Sequence, residues 1–107
     1  MKELRLRKEM FPAILSGNKT TTSRYGFRDI SIGDNIKIIA SEDDDVFVHA
    51  IVTNVYYLDY NEFDEEEARN EGYETLEELK AVLEKIYNPT DCDTFTIIGF
   101  AVCENNK

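Results

Sequence analysis

Phe11, Ile14 and Leu15 recur at i, i+3 and i+4 in "FPAILSG", the spacing of one helical face, and Gly17 follows where such a helix would stop. Pro12 is tolerated only in a first turn, so this helix should begin near Glu9 or Met10 and be short. The decapeptide before it, "MKELRLRKEM", alternates charge with Leu4 and Leu6 and has no continuous apolar stretch. "KTTTSR" is rich in β-branched residues and predicts a strand. Gly33-Asp34 marks a turn into a second strand, "NIKIIA", and "EDDD" predicts an acidic loop. "VFVHAIVTNVYYLDY" is the longest β-rich run, from Val46 to about Tyr57, and its imperfect alternation suits a strand curving round a barrel.

The period then changes. "NEFDEEEARNEG" predicts a helix capped by Asn61 and closed at Gly72. "TLEELKAVLEKIYNP" is a second helix: Thr75 and Glu78 form a capping-box pattern, Leu76, Leu79, Leu83 and Ile86 share a face, and Asn88-Pro89 stops it. "DTFTIIGFAVCE" is a final strand. Consecutive strands without helices between them oppose a doubly wound parallel sheet. They favour an α+β domain over residues 1–107: a small, mostly antiparallel barrel flanked by about three helices.

Composition changes this picture little. Hydrophobic residues make up 42% of the 107, enough for a core without staples. No apolar run approaches the roughly 20 residues that cross a bilayer, and no secretory pattern opens the chain, so a cytoplasmic protein with no membrane partner is expected. Cys92 and Cys103 form neither a disulfide framework nor a zinc pattern, and His49 reads as a polar tip on a strand. No metal and no cofactor are expected.

Charge changes more. Residues 1–40 hold eight Lys/Arg against four Asp/Glu, a net +4, which leaves −14 of the total −10 to residues 41–107. Polar or anionic partners should therefore meet the first third of the chain. The overall charge repels an extended phosphate backbone, which disfavours duplex DNA and leaves a small-molecule nucleoside or a short RNA segment as partner.

Within that basic third, "GNKTTTSR" sets Lys19 and Arg24 among four hydroxyls. In a strand Thr20, Thr22 and Arg24 share a face and Lys19 points away. Lys19 and Thr22 converge only if Lys19 lies in a bend after Gly17, which Asn18 favours. A threonine hydroxyl needs a base, and a lysine becomes one when burial or a neighbouring cation such as Arg24 depresses its pKa from the usual ~10.4. A carboxyl kept protonated in a dry pocket can donate to a leaving amine. Tyr25 and Phe27, just past the motif, can stack on a nucleobase or belong to the core.

Gly17, Lys19 and Arg24 give G-x-K-x-x-x-x-R, and with "FPAILSG", Gly33-Asp34 and the "EARNEGYETLEELK" helix pair the chain resembles the ASCH domain, a relative of the PUA-like barrels. It is similar in particular to the small bacterial ASCH proteins that act as N4-acetylcytidine amidohydrolases. That resemblance implies Lys19 as proton acceptor, Thr22 as nucleophile and Glu71 as proton donor; beside them Gly17, Arg24 and Tyr25 are expected to bind substrate. Gly72-Tyr73-Glu74 is one residue longer than the pattern before the leucine-rich helix, so Glu74 rivals Glu71. The wider family implies two other readings: a non-catalytic RNA- or nucleotide-binding module, regulatory in role, and, third, RNA cleavage. The enzymatic reading requires the early basic bend and the late acidic helix to meet across one hollow.

Overall fold

The structure is a computed structural model that describes residues 1–103. Strand β1 (Lys2–Leu6) leads through a 3-10 turn to helix α1 (Phe11–Ser16), followed by strands β2 (Thr21–Tyr25), β3 (Asn35–Ala40) and β4 (Asp43–Asp59). A second 3-10 turn, helices α2 (Glu65–Asn70) and α3 (Leu76–Tyr87), and strand β5 (Thr94–Val102) complete the order. Among the described residues the five strands form one sheet, β1-β3-β4-β5-β2, curled into a half-barrel and flanked by three α-helices. All neighbouring pairs are antiparallel except β1 with β3. The expected mostly antiparallel α+β barrel is therefore the fold found. No helix among the described residues is long and apolar enough to cross a membrane.

Strand β1 was not expected. Its charge-rich sequence has little strand character of its own, and the parallel ladder from Lys2–Ile36 to Leu6–Ala40 makes it one. The acidic loop is also corrected: only Ser41 and Glu42 turn, and Asp43 already pairs with Ala40. These acids are held extended because Asp44 meets Arg5 at 2.6 Å and Asp43 meets Lys8 at 3.4 Å. β4 consequently runs longer than expected at both ends, pairing with β3 through its first half and β5 through its second, across a bulge between Val52 and Asn54.

Asp64, not Asn61, caps α2, accepting from the Glu67 amide at 2.9 Å. Asn61 lies instead in the 3-10 turn, where the Asp59 amide donates to Glu62 Oε1. α3 is as expected: Thr75 Oγ1 accepts from the Glu78 amide at 3.2 Å, and Asn88 closes the helix at φ 49°. Thr75→Ala should cost about 1 kcal/mol, read as a lowered urea midpoint with unchanged slope.

β5 is buried on both faces, which is why its sequence runs apolar without alternation. Ile98 and Phe100 join a cluster with α1, β3 and the first half of β4, built round Phe11, Ile14, Ile36 and Ile38. Phe95 and Ile97 join the other, with Tyr60, Phe63, Ala68, Leu79 and Leu83 under α2 and α3. Two members of the predicted helix faces escape burial. Leu15 is exposed, and so is Ile86, 61% accessible at the margin of the α3 stripe.

Candidate functional site

α1 is too short to carry the chain far, and Gly17 ends it in the left-handed region at φ 87°. The bend that follows is fastened by the Lys19 amide donating to the main-chain oxygen of Ala13 at 3.0 Å. It then meets the end of α2: the Thr20 amide donates to the Asn70 oxygen at 2.8 Å, and Lys19 and Glu71 form an isolated antiparallel bridge. Gly72 allows this approach. It sits at φ 90°, a left-handed conformation that strains any side chain, although a Cβ there would meet Lys19 Cβ at 3.4 Å and Met10 Cε at 3.5 Å, ordinary contact distances.

The early basic bend and the late acidic helix therefore do meet. Lys19 and Glu71 are 3% and 4% accessible. Lys19 Nζ donates to the main-chain oxygens of Thr21 at 2.8 Å and Glu71 at 3.0 Å, and lies 3.8 Å from Glu71 Oε1. Glu71 Oε2 accepts the Ser23 hydroxyl. On the other face of β2, Arg24 Nη1 donates to Thr22 Oγ1 at 2.8 Å and to the Ser23 oxygen at 3.0 Å. Arg24 Nη2 reaches the Arg5 oxygen at 2.8 Å, bridging the two edge strands β1 and β2.

These groups border a cavity of about 280 Å³, close to the lower end of the size usual for small-molecule sites. Lys19, Thr22, Ser23 and Glu71 line it, with Arg5, Arg7 and Arg24 as cations and Tyr73. α3 supplies an apolar wall of Val82, Leu83, Ile86 and Tyr87. Ile86 is thus exposed because it faces the cavity margin rather than the sheet.

Burial pushes the Lys19 amine down to about 8, aided by Arg24 and Arg7 and opposed by Glu71. Burial likewise raises Glu71, against Lys19, Ser23 and Arg24, which favour its carboxylate. Both shifts have the same cause and sense: water is excluded, so the charged form of each loses solvation. Burial thus moves each group in the direction of its neutral form, while each partner's charge opposes the shift of the other.

Lys19, Thr22, Arg24 and Glu71 all border this cavity. Glu74 is exposed, so Glu71 is the carboxylate at the cavity. Gly17 shapes the bend without bordering the cavity. Tyr25 also lies outside the lining, packed 5.6 Å from Tyr87 and edge-on to Phe95 at 5.4 Å. Phe27 is exposed against Tyr57. Ser23, Tyr73, Arg5 and Arg7 were not singled out from the sequence. Alternation along "KTTTS" puts Ser23 on the Lys19 parity, a usable signal, but nothing local marks β1 or Tyr73 as neighbours of the motif. No three metal-ligating side chains are grouped among the described residues.

The family model of the ASCH domain matches residues 2–104. Among solved structures, an ASCH domain from Lactobacillus crispatus JV V101 superposes with a TM-score of 0.79 at 13% identity, covering 94% of this chain and 79% of that one. A hypothetical protein, PH0355, gives 0.73 at 21% identity, covering 96% and 100%. ASCH from Zymomonas mobilis gives 0.70 at 18% identity, covering 92% and 64%. Identities this low establish a shared fold only. No curated protein matches the chain.

Proposed function

The chain belongs to the ASCH domain family, and from that premise we propose that its cavity hydrolyses the N-acyl amide of an N4-acetylcytidine-type nucleoside to cytidine and acetate. The observation that carries this reading is the buried Lys19–Glu71 pair, each group shifted by burial in the direction of its neutral form, bordering one small cavity with the Thr22 hydroxyl.

A neutral lysine amine keeps two N–H donors, and the oxygens of Thr21 and Glu71 occupy two. Its lone pair is then available to take the Thr22 proton. Arg24 donates to Thr22 Oγ1 and so stabilises negative charge developing on that oxygen. Attack on the acyl carbon forms the C–O bond. Glu71 passes its proton to the N4 nitrogen as the C–N bond breaks, and cytidine leaves with the acyl group on Thr22. Glu71, now a carboxylate, takes a proton from the incoming water. Lys19 returns its own proton to the Thr22 oxygen as acetate departs.

The required form, neutral Lys19 with protonated Glu71, is a tautomer of the ion pair, so its share is constant while the pair holds one proton in total. A second proton added at low pH leaves no base, and loss of the last one leaves no acid. kcat/KM is therefore expected to follow a bell with its alkaline limb near pH 8, where Lys19 gives up its proton, and its acid limb above the usual glutamate range. A monotonic profile through pH 8 contradicts these roles.

Arg5 and Arg7 are engaged at 2.6 Å and 2.8 Å by Asp44 and Glu9, which leaves them less available to phosphate and favours an uncharged ligand over RNA. Purified protein incubated with N4-acetylcytidine, its products separated by chromatography, decides the reading. Cytidine and acetate should appear at a rate nearly independent of salt. Absence of product, or equal turnover by Thr22→Ala, overturns it. Salt-sensitive binding of a short RNA without turnover supports the binding-module reading instead.

A further inference from the structure

The mechanism above gives Ser23 no task, yet Ser23 is buried and its hydroxyl is spent on the Glu71 carboxyl. A buried hydroxyl on this strand is not automatically placed there. Thr21, two residues earlier and also buried, has an Oγ1 without a hydrogen-bond partner. Lys19 does not fix the carboxyl geometry either, since its Nζ stands 3.8 Å from Oε1, outside hydrogen-bond reach, and its donors go to main-chain oxygens.

Resting on the hydrolase reading, we propose that Ser23 is a positioning residue whose hydroxyl pins Glu71 Oε2, so that the transferable proton resides on Oε1, the oxygen nearer the Lys19 amine. A carboxyl has two oxygens and carries its proton on one of them. With Oε2 accepting from Ser23, one of its lone pairs is already taken and its electron density is drawn toward the serine hydrogen, so Oε1 is the favoured oxygen to carry the proton. The same bond holds a side chain with three rotatable torsions in one orientation beside the cavity. Proton delivery is thereby confined to the face shared with Lys19.

Ser23 also favours the ionised carboxylate, through its hydroxyl and more weakly through its main-chain amide. The other ionisable groups in electrostatic reach of Glu71 are Lys19 from the bend, Arg24 from β2, Tyr56 from β4 and Tyr73 from the turn after α2. None of these is altered by a change at Ser23, so an effect on Glu71 titration reports the hydroxyl itself.

The test is Ser23→Ala and Ser23→Thr, each read by pH–rate profile and by 13C titration of the Glu71 carboxyl, assigned by its absence in Glu71→Gln. For Ser23→Ala, kcat should fall about tenfold with KM little changed. The acid limb and the 13C midpoint should both move to higher pH by about one unit, because the carboxylate loses a donor. Ser23→Thr, which keeps the hydroxyl, should restore both. An unmoved limb and midpoint in Ser23→Ala, or a threonine variant no better than alanine, overturns the proposal. Should alanine at this buried position prevent folding, Ser23→Cys, similar in size and a weaker donor, is expected to shift the midpoint in the same direction, and an unshifted one counts against the inference. If the wild-type protein hydrolyses nothing, the hydrolase reading fails, while the 13C titration still decides whether Ser23 controls the Glu71 carboxyl.

Discussion

Lys19→Met is expected to reduce turnover of N4-acetylcytidine by about 10²–10⁴-fold, the range for removing a general base, and to lower stability by about 3–5 kcal/mol, the cost of leaving a buried partner unpaired. Methionine has nearly the length of lysine, so most of the buried volume at this position stays filled. What is lost is the donor. The Thr21 and Glu71 oxygens lose a buried hydrogen-bond partner, and Glu71 loses its counter-charge. The double variant Lys19→Met/Glu71→Leu separates the two effects: it should remain inactive while recovering most of the lost stability, since an apolar pair has no charge to desolvate. Urea unfolding of both single variants and the double gives the coupling. A double variant as unstable as the sum of the singles would show that the pair is not an interacting unit.

The pH dependence of stability should carry the same signature. Lys19 has a folded pKa of about 8, below its unfolded value, so the native state binds fewer protons than the unfolded chain between about 8 and the usual lysine range, and this residue's contribution improves as pH rises there. Glu71 is shifted the other way, and its contribution worsens as pH rises from the usual glutamate range through its raised value. At neutral pH both groups thus work against folding. Keeping such a pair at a cavity costs stability, a cost that the proposed hydrolase site would account for.

Phe95→Ala is expected to destabilise the protein by about 3–5 kcal/mol, the range for emptying a large aromatic site. Phe95 is fully buried in the centre of the second core, with Tyr25, Tyr60, Phe63 and Tyr87 round it at centroid distances of 5.4 to 6.0 Å. It joins β5 to β2 and α3, the strand bearing Thr22 and the helix forming the apolar cavity wall. The lost stability should come with a raised KM for the nucleoside, as Tyr87 and the end of α3 lose their backing. Phe95→Leu, which retains most of the volume, should lose less than half as much. Equal effects of the two substitutions would mean that filled volume is not what holds this region.

The elements whose signals are local were legible in the sequence. The capped, striped α3, the glycine-terminated α1, the β-branched run of β2 and the two-faced β5 each carry their own signature. β1 was not, because five residues of mostly alternating charge become a strand only when β3 offers a parallel ladder. The acids of "EDDD" looked like a loop for the same reason: their extended form depends on Arg5 and Lys8, far away in sequence. Asn61 and Asp64 compete as caps within one short segment, and packing of Tyr60 and Phe63 into the core decides between them.

For the site the division is sharper. By itself the chain determined that a lysine, several hydroxyls and an arginine lie within eight residues after a helix-ending glycine, and that acids crowd a later helical stretch. Only the tertiary structure decided that Glu71 rather than Glu74 turns inward, that Ser23 meets its carboxyl, and that Arg24 spans to β1. The physical reason is desolvation: a residue's type is local, but whether its charge is solvated depends on everything packed over it.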